Sequence, residues 1–162
     1  MRRWTKFTAV AGLVAAGLVG VAATPASASE TPAIYCDLVV PDLYHYKVTA
    51  VAVYEDDVAG PEIRQWKEFR YMIRMLVGGV YTDKNNVNIR LSESGRTKFT
   101  LDSPDDRRFG VWYTVRPSRP LYTSVWGPAG AHDHRANDLI EITAIFDRRF
   151  EADPSCTAWH KV

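Results

Sequence analysis

The sequence has few cysteines, no block of basic residues and a single long apolar run, and these scarcities exclude several classes of protein. Of its 162 residues, 20 are Lys or Arg and 19 are Asp or Glu. The first 28 residues hold three of the positive charges and none of the negative ones, so the remaining 134 residues carry a net charge of −2. Without concentrated positive charge, no surface typical of nucleic-acid or anionic-membrane binding is present. We therefore expect no nucleic acid among its partners.

The chain also lacks a recognisable catalytic nucleophile. No G-x-S-x-G sequence occurs, and neither cysteine lies next to a histidine. A carboxylate pair of the glycosidase type is defined by the separation of its two groups in space, which a sequence does not give. The sequence therefore favours a non-catalytic protein over an enzyme.

The one long apolar run lies near the N-terminus and has the pattern of an export signal. Three basic residues precede the 15 uncharged residues Ala9–Ala23, and small residues follow at positions 26–28. A membrane-spanning helix needs about 20 apolar residues, so we expect cleavage near Ala28 and no retained membrane anchor. We predict that residues 1–28 are a signal peptide and that residues 29–162 form one secreted domain. This alanine-rich signal resembles those of high-GC Gram-positive bacteria.

The only two cysteines, Cys36 and Cys156, lie 120 positions apart, near the two ends of the predicted domain. After export both thiols meet an oxidising environment, in which disulfides form and persist. The alternatives are two free thiols or metal ligands, but the chain has no C-x-x-C pair of the kind common in metal sites. We expect a structural disulfide between these two residues.

Short runs of alternating apolar and polar residues, separated by turn residues, predict an antiparallel β protein. The chain shows no alternation of strands with helices, which favours two packed sheets. We predict an all-β fold, a single antiparallel β-sandwich of the C2-like or jelly-roll-like kind with about seven to eight strands. The alternative is a small β-barrel. The candidate strands cover residues 34–40, 47–54, 69–77, 87–91, 97–101, 109–115, 121–126 and 139–147.

One segment, residues 61–79, also has apolar residues at helical spacing between a proline and a pair of glycines. Arg70 falls inside the apolar stripe of such a helix, whereas residues 68–75 alternate as a strand. We therefore expect a strand with one helical turn before it. The odd-numbered side chains around Ile73 and Val111 should face the core.

Acidic residues gather in the turns that follow and precede predicted strands. Glu55, Asp56 and Asp57 follow the second predicted strand, and Asp133 and Asp138 lie before the last one. Calcium takes six to eight oxygen ligands, and carboxylates supply most of them. In these loops the chain resembles C2-like β-sandwich domains, and the resemblance implies calcium as a cofactor at one end of the sandwich. The alternative is a set of solvated turns in which Asp caps its own backbone.

His132 and His134 lie two positions apart in the same late loop. On an extended segment their imidazoles point to the same side. Asp133, Asp138 or His160 could complete a three-ligand site for zinc, copper or iron. Exposed loop histidines without a ligand are the alternative interpretation.

Aromatic residues and arginines surround the connection at residues 117–120. If the strand before it alternates, Trp112 points away from the core, and with Tyr122 and Trp126 it would form a platform for a sugar ring or for the apolar patch of a protein. The other interpretation places Trp112 in the core. Arg116 and Arg119 would rim the platform or keep an edge strand soluble.

These features favour an exported, non-catalytic β-sandwich that binds an extracellular protein, a glycan or calcium. Two other functions remain open. One is a secreted metal-dependent enzyme centred on His132 and His134. The other is a secreted protease inhibitor with residues 116–120 as its reactive segment.

Overall fold

Strands and their connections make up the part of the chain that the structure describes. The computed structural model describes residues 28–41, 43–56, 59, 62–78, 84–124, 138–147 and 152–162. Within these ranges no helix is long and apolar enough to cross a membrane. The strands are β1 (Ser29–Glu30), β2 (Ile34–Val40), β3 (Tyr44–Asp56), β4 (Ile63–Val77), β5 (Asn86–Glu93), β6 (Arg96–Asp102), β7 (Trp112–Val115), β8 (Leu121–Ser124), β9 (Asp138–Ile145) and β10 (Ser155–Lys161).

The larger sheet is built on two long antiparallel strands, β3 and β4. The short strands β1 and β2 both pair with β3 on the side away from β4. The strands β7 and β8 both pair with β4 on the side away from β3. Each edge of this sheet therefore consists of two short strands that follow one another along the same long strand. At the β7–β8 edge the break falls at residues 116–120, where two prolines cannot donate hydrogen bonds to a ladder.

The smaller sheet has the order β10-β9-β5-β6, and all its pairs are antiparallel. The two described sheets pack face to face and stay separate, so the fold is the predicted β-sandwich and not the barrel. A two-residue turn, Ser94-Gly95, joins β5 to β6 as the predicted hairpin. Both turn residues have positive φ, 47° and 80°, as a type I′ turn requires.

Alternate side chains from both sheets fill the space between them. Aromatic rings contact one another across the sheets: the ring centroids of Phe69 and Phe99 lie 5.0 Å apart, and those of Tyr46 and Phe146 lie 4.6 Å apart. Burial of this apolar surface is the main stabilising contribution to such a fold. The largest fully buried side chains are Tyr46, Val48, Trp66, Phe69, Tyr71, Ile73, Val87, Ile89, Leu91, Ile140, Ile142 and Phe146.

The predicted helical turn before residue 68 is wrong, because β4 already begins at Ile63. A β-bulge explains the misleading pattern. Val53 pairs with Glu68 and Tyr54 pairs with Trp66, so Lys67 is an extra residue in β4. On the N-terminal side of the bulge the even-numbered residues face the core, which breaks the period of two in the sequence.

The prediction for Val111 is also wrong, since this side chain is 42% exposed. The strand β7 starts only at Trp112, after Gly110, whose φ is 75° and whose N–H donates to the Ile73 carbonyl oxygen. Ile73 itself is fully buried, as expected. Val77, the last apolar residue of the alternating run, faces outward because Leu76 is a second extra residue in β4.

Two strands were not predicted. β1 has only two residues, too few for any periodic signal. β10 places Cys156, Ala158 and His160 toward the core, and small or polar residues in these positions do not produce an apolar alternation.

Cys36 and Cys156 form the predicted disulfide, with their Cα atoms 5.8 Å apart. The bond joins β2 of the larger sheet to β10 of the smaller sheet, at one side of the sandwich. Both cysteines of the chain are used. The disulfide is consistent with an extracellular protein.

Candidate binding surfaces

The outer face of the larger sheet carries two exposed aromatic side chains in one cross-strand row. Tyr35 pairs with Thr49, Thr49 with Met72, and Met72 with Trp112, so the row runs from β2 to β7. Tyr35 is 52% exposed and Trp112 is 50% exposed. The row covers three strand spacings, roughly 14 Å. Trp112 therefore points to solvent, and the interpretation that placed it in the core is wrong.

A shallow groove lies beside Trp112 on this face. Its volume is about 310 Å³, and it is lined by Glu30, Val51, Arg70 and Trp112. Val51 and Arg70 are directly paired across β3 and β4. The indole ring therefore forms one wall of a groove with an apolar floor and a charged rim.

Ion pairs run along the rim. The Arg70 guanidinium lies 2.8 Å from the Glu30 carboxylate and also contacts Glu68 Oε1. The other carboxylate oxygen, Glu68 Oε2, lies 2.7 Å from the Arg116 guanidinium. The hydrogen bond to Glu68 raises the pKa of Arg70 above its ordinary value. These four residues form a chain of alternating charge in which each carboxylate has a cationic partner.

The larger sheet and its connections carry most of the exposed large apolar side chains in the described part of the protein. Eight of the nine belong to it: Tyr35, Val39, Leu43, Leu76, Val77, Val111, Trp112 and Tyr122. The ninth, Trp159, lies on the smaller sheet. The exposed apolar area of the described part of the protein therefore lies mostly on the larger sheet and its connections.

The other predicted platform residues are spread along the same edge. Tyr122 pairs with Gln65 and shares the outer face with Trp112, but the β4 positions that they oppose are separated by roughly 20 Å along the strand. Arg116 and Arg119 are exposed, in the connection between them. Trp126 lies outside the described residues. Trp112, Arg116 and Tyr122 thus share a face without forming one contiguous platform.

At one end of the sandwich, acidic residues from the two predicted calcium loops approach a common arginine. The Arg64 guanidinium lies 2.7 Å from the Asp56 carboxylate and 3.7 Å from the Asp138 carboxylate. It also stacks over the Tyr54 ring, 4.1 Å from the centroid. Arg64, which the sequence did not single out, faces inward because of the bulge at Lys67. The cation that these two carboxylates share in the described structure is therefore a side chain.

Asp138 is 1% exposed and takes part in a hydrogen-bonded chain between the sheets. The Trp66 indole N–H donates to Thr123 Oγ1 over 2.9 Å, and the Thr123 hydroxyl donates to Asp138 Oδ2 over 2.7 Å. Asp138 Oδ1 is buried and has no hydrogen-bond partner among the described residues. Burial raises the pKa of Asp138 to about 6, although Thr123 and Arg64 act in the opposite direction.

The remaining predicted metal ligands are dispersed or not described. Glu55 lies 2.8 Å from the Lys67 ammonium group. Four residues fall outside the described ranges: Asp57, His132, Asp133 and His134. Within those ranges, no group of three or more His, Cys, Asp or Glu converges as a metal site would require. The calcium and transition-metal sites stay predictions.

In the protease-inhibitor alternative the reactive segment is residues 116–120, and an ion pair fixes only its first residue. Arg116 is paired with Glu68 and Pro117 is half-buried, while Ser118, Arg119 and Pro120 are exposed. The single disulfide lies elsewhere, between β2 and β10, so it does not brace this segment.

The outer face of the smaller sheet holds an exposed tryptophan, Trp159, in a strand that the sequence pattern did not predict. Trp159 is 62% exposed, the highest value among the large apolar side chains described. It pairs with Glu141, which pairs with Arg90 on the next strand. The sequence contains an indication of this orientation. Trp159 is three positions from Cys156, so on a strand the two side chains point to opposite faces, and the disulfide places Cys156 on the inner face.

Comparison of the chain with protein-family models, with curated proteins and with solved structures finds no match. The structure defines a two-sheet antiparallel β-sandwich whose sheets are joined by one disulfide. The resemblance of its acidic loops to C2-like domains stays a prediction.

Proposed function

We propose that this protein is an exported, non-catalytic binding module that holds an extracellular protein on the outer face of its larger sheet. The predicted signal peptide at residues 1–28 and the disulfide between Cys36 and Cys156 support the export part of this proposal. The observation that carries the proposal is the row from Tyr35 to Trp112, which leaves two aromatic side chains half-exposed on one outer sheet face.

Aromatic side chains support protein binding because they bury a large area at a small cost in side-chain entropy. Tyr and Trp are enriched among the residues that dominate interface energies. Val39, Leu76 and Val77 are also exposed on this sheet, and both valines pair with His45, four positions along β3 from Thr49 in the aromatic row. A surface with this many apolar groups favours a protein partner over a small polar ligand.

The charged rim supports specificity. Because Glu30, Arg70, Glu68 and Arg116 already neutralise one another, their burial in an interface does not leave a lone charge. A partner whose surface carries alternating charges would match these four residues, and a partner with like charges opposite them would be repelled.

Site-specific photo-crosslinking in the exporting host tests the proposal. A crosslinker replaces Thr114 on the outer face of the larger sheet, and a matched one replaces Thr157 on the outer face of the smaller sheet; both residues are exposed. We expect a discrete protein adduct from position 114 and none of the same identity from position 157. Equal adducts from both positions would contradict a binding face on the larger sheet.

The adduct partner is then purified, and its affinity is measured for three variants. Trp112→Ala and Tyr35→Ala should each weaken binding by about tenfold or more, as expected for central aromatic residues of an interface. Trp159→Ala is the matched control and should bind like the unchanged protein. Adducts that contain only this chain would identify a second copy as the partner, and unchanged affinity of Trp112→Ala would refute the proposed face.

A further inference from the structure

The outer face of the smaller sheet differs chemically from that of the larger sheet. Trp159 is the only large apolar side chain exposed on it among the described residues. Its neighbours across the strands are polar. The face therefore lacks the apolar area that a protein interface of ordinary size would use.

Two adjacent cross-strand rows form the middle of this face, between outer positions of β10 occupied by Ser155 and Lys161. The first consists of Trp159, Glu141, Arg90 and Thr100, and the second of Thr157, Thr143, Asn88 and Asp102. Each row covers four strands, roughly 14 Å in width. Because these positions alternate with the core residues of the same strands, all eight side chains project from the outer side of the sheet, and among them Asn88 Oδ1 is buried.

The hydrogen-bonding groups on this face are mostly neutral. The hydroxyls of Thr143 and Thr157 lie 3.0 Å apart. The Arg90 guanidinium lies 2.9 Å from the Glu141 carboxylate, so these two charges neutralise each other. Asp102 is the one remaining charge in the two rows, and a negative charge disfavours an anionic ligand.

We infer that this face binds a neutral glycan, with the Trp159 indole stacked on one sugar ring and with the threonine hydroxyls and the Arg90–Glu141 pair hydrogen-bonding to sugar hydroxyls along the glycan. A sugar ring has C–H groups on its faces and hydroxyls at its rim, so it fits an aromatic ring bordered by neutral donors and acceptors. The planar guanidinium and carboxylate of the Arg90–Glu141 pair offer several such groups in fixed positions.

This site is distinct from the proposed protein-binding face, because the two lie on opposite sides of the sandwich. A protein with both would hold one extracellular protein and one polysaccharide at the same time. The two proposals can fail independently, since each depends on a different tryptophan.

Adsorption to insoluble neutral polysaccharides tests the inference. The purified full chain is mixed with cellulose, chitin or a β-1,3-glucan, and the protein left in solution is measured. We expect adsorption to at least one of them that survives a rise in salt concentration, because a neutral ligand is not screened. If the unchanged protein adsorbs to none, the inference is wrong.

The variants identify the face responsible. Trp159→Ala should lower the affinity at least tenfold, and Trp159→Tyr should retain most of it, since a tyrosine ring also stacks. Trp112→Ala, which removes a similarly exposed tryptophan from the opposite face, should adsorb like the unchanged protein. Equal losses for the two alanine variants would overturn the assignment to this face.

Two further results keep the test decisive. Thermal unfolding midpoints show whether each variant is folded, and Trp159→Tyr separates lost stacking from lost folding. If Trp159→Ala leaves polysaccharide adsorption intact but removes a protein adduct, then this face binds a protein and the glycan assignment is refuted.

Discussion

Asp138 is an ionisable group in a place that water does not reach. It is bonded to Thr123, lies near Arg64 and has one carboxylate oxygen without a partner among the described residues. Glu93 and Lys98 act on it from the neighbouring hairpin, with opposite signs. The sequence placed Asp138 among calcium ligands, whereas its described contacts make it a link between the two sheets.

This environment predicts an unusual dependence of stability on pH. The pKa of Asp138 is raised from 3.8 to about 6, so the native state binds the proton more tightly than the unfolded chain does. The stability that comes from protonation is full below the unfolded pKa and is lost as the pH rises through about 6. The loss amounts to about 3 kcal/mol by the linkage between pKa and free energy.

The variant Asp138→Asn checks this, because asparagine stays neutral at every pH. The free energy of unfolding of the variant minus that of the unchanged protein should rise by up to about 3 kcal/mol between about pH 4 and about pH 7. Chemical denaturation at several pH values measures it. Thr123→Val, which removes a hydrogen bond that lowers the pKa of Asp138, should extend the dependence to higher pH. Parallel curves for Asp138→Asn and the unchanged protein would contradict the assignment.

At the scale of elements, irregular positions in the strands decide what the surface displays. The extra residues Lys67 and Leu76 reverse the alternation of β4 at two points. The first turns Arg64 inward toward Asp138, and the second turns Val77 outward toward solvent. Bulges often redirect side chains in this way.

The β5–β6 hairpin depends on a glycine for its conformation and not for space. Gly95 has a φ of 80°, and a Cβ placed there would meet no atom within 4 Å. Gly95→Ala should therefore lower the free energy of unfolding by about 1–2 kcal/mol through left-handed backbone strain alone. Gly78→Ala is the matched control, because Gly78 also has open space but no positive φ. Equal effects in denaturant titration would show that the turn geometry does not matter.

At the scale of the whole molecule, the disulfide fixes the two sheets to each other at one side. It closes a loop of 120 residues, and the chain-entropy model gives such a loop about 5 kcal/mol of stabilisation. The double variant Cys36→Ala, Cys156→Ala should lose a large part of this amount in denaturant titrations. The unchanged protein under reducing conditions should show a similar loss. Equal stability of the oxidised protein and the double variant would contradict the structural role of the bond.

Most of the fold was predictable from the sequence. Eight strands were expected and all eight are present, because half-buried strands leave a period of two in the chain. The orientation of Trp112 was left open, since alternation does not say whether the second face of a sheet is covered. Trp159 was missed because its strand has a weak apolar pattern.

The sequence by itself determined the β class, the hairpin at Ser94-Gly95 and the pairing of its only two cysteines, since these follow from local periodicity, turn chemistry and composition. Only the tertiary structure decided that Asp138 is buried beside Arg64 and that Tyr35 and Trp112 share one solvent-facing row. The reason is physical: burial and register depend on which distant strands pair and where a bulge shifts them, and neither is encoded in any short stretch of the chain.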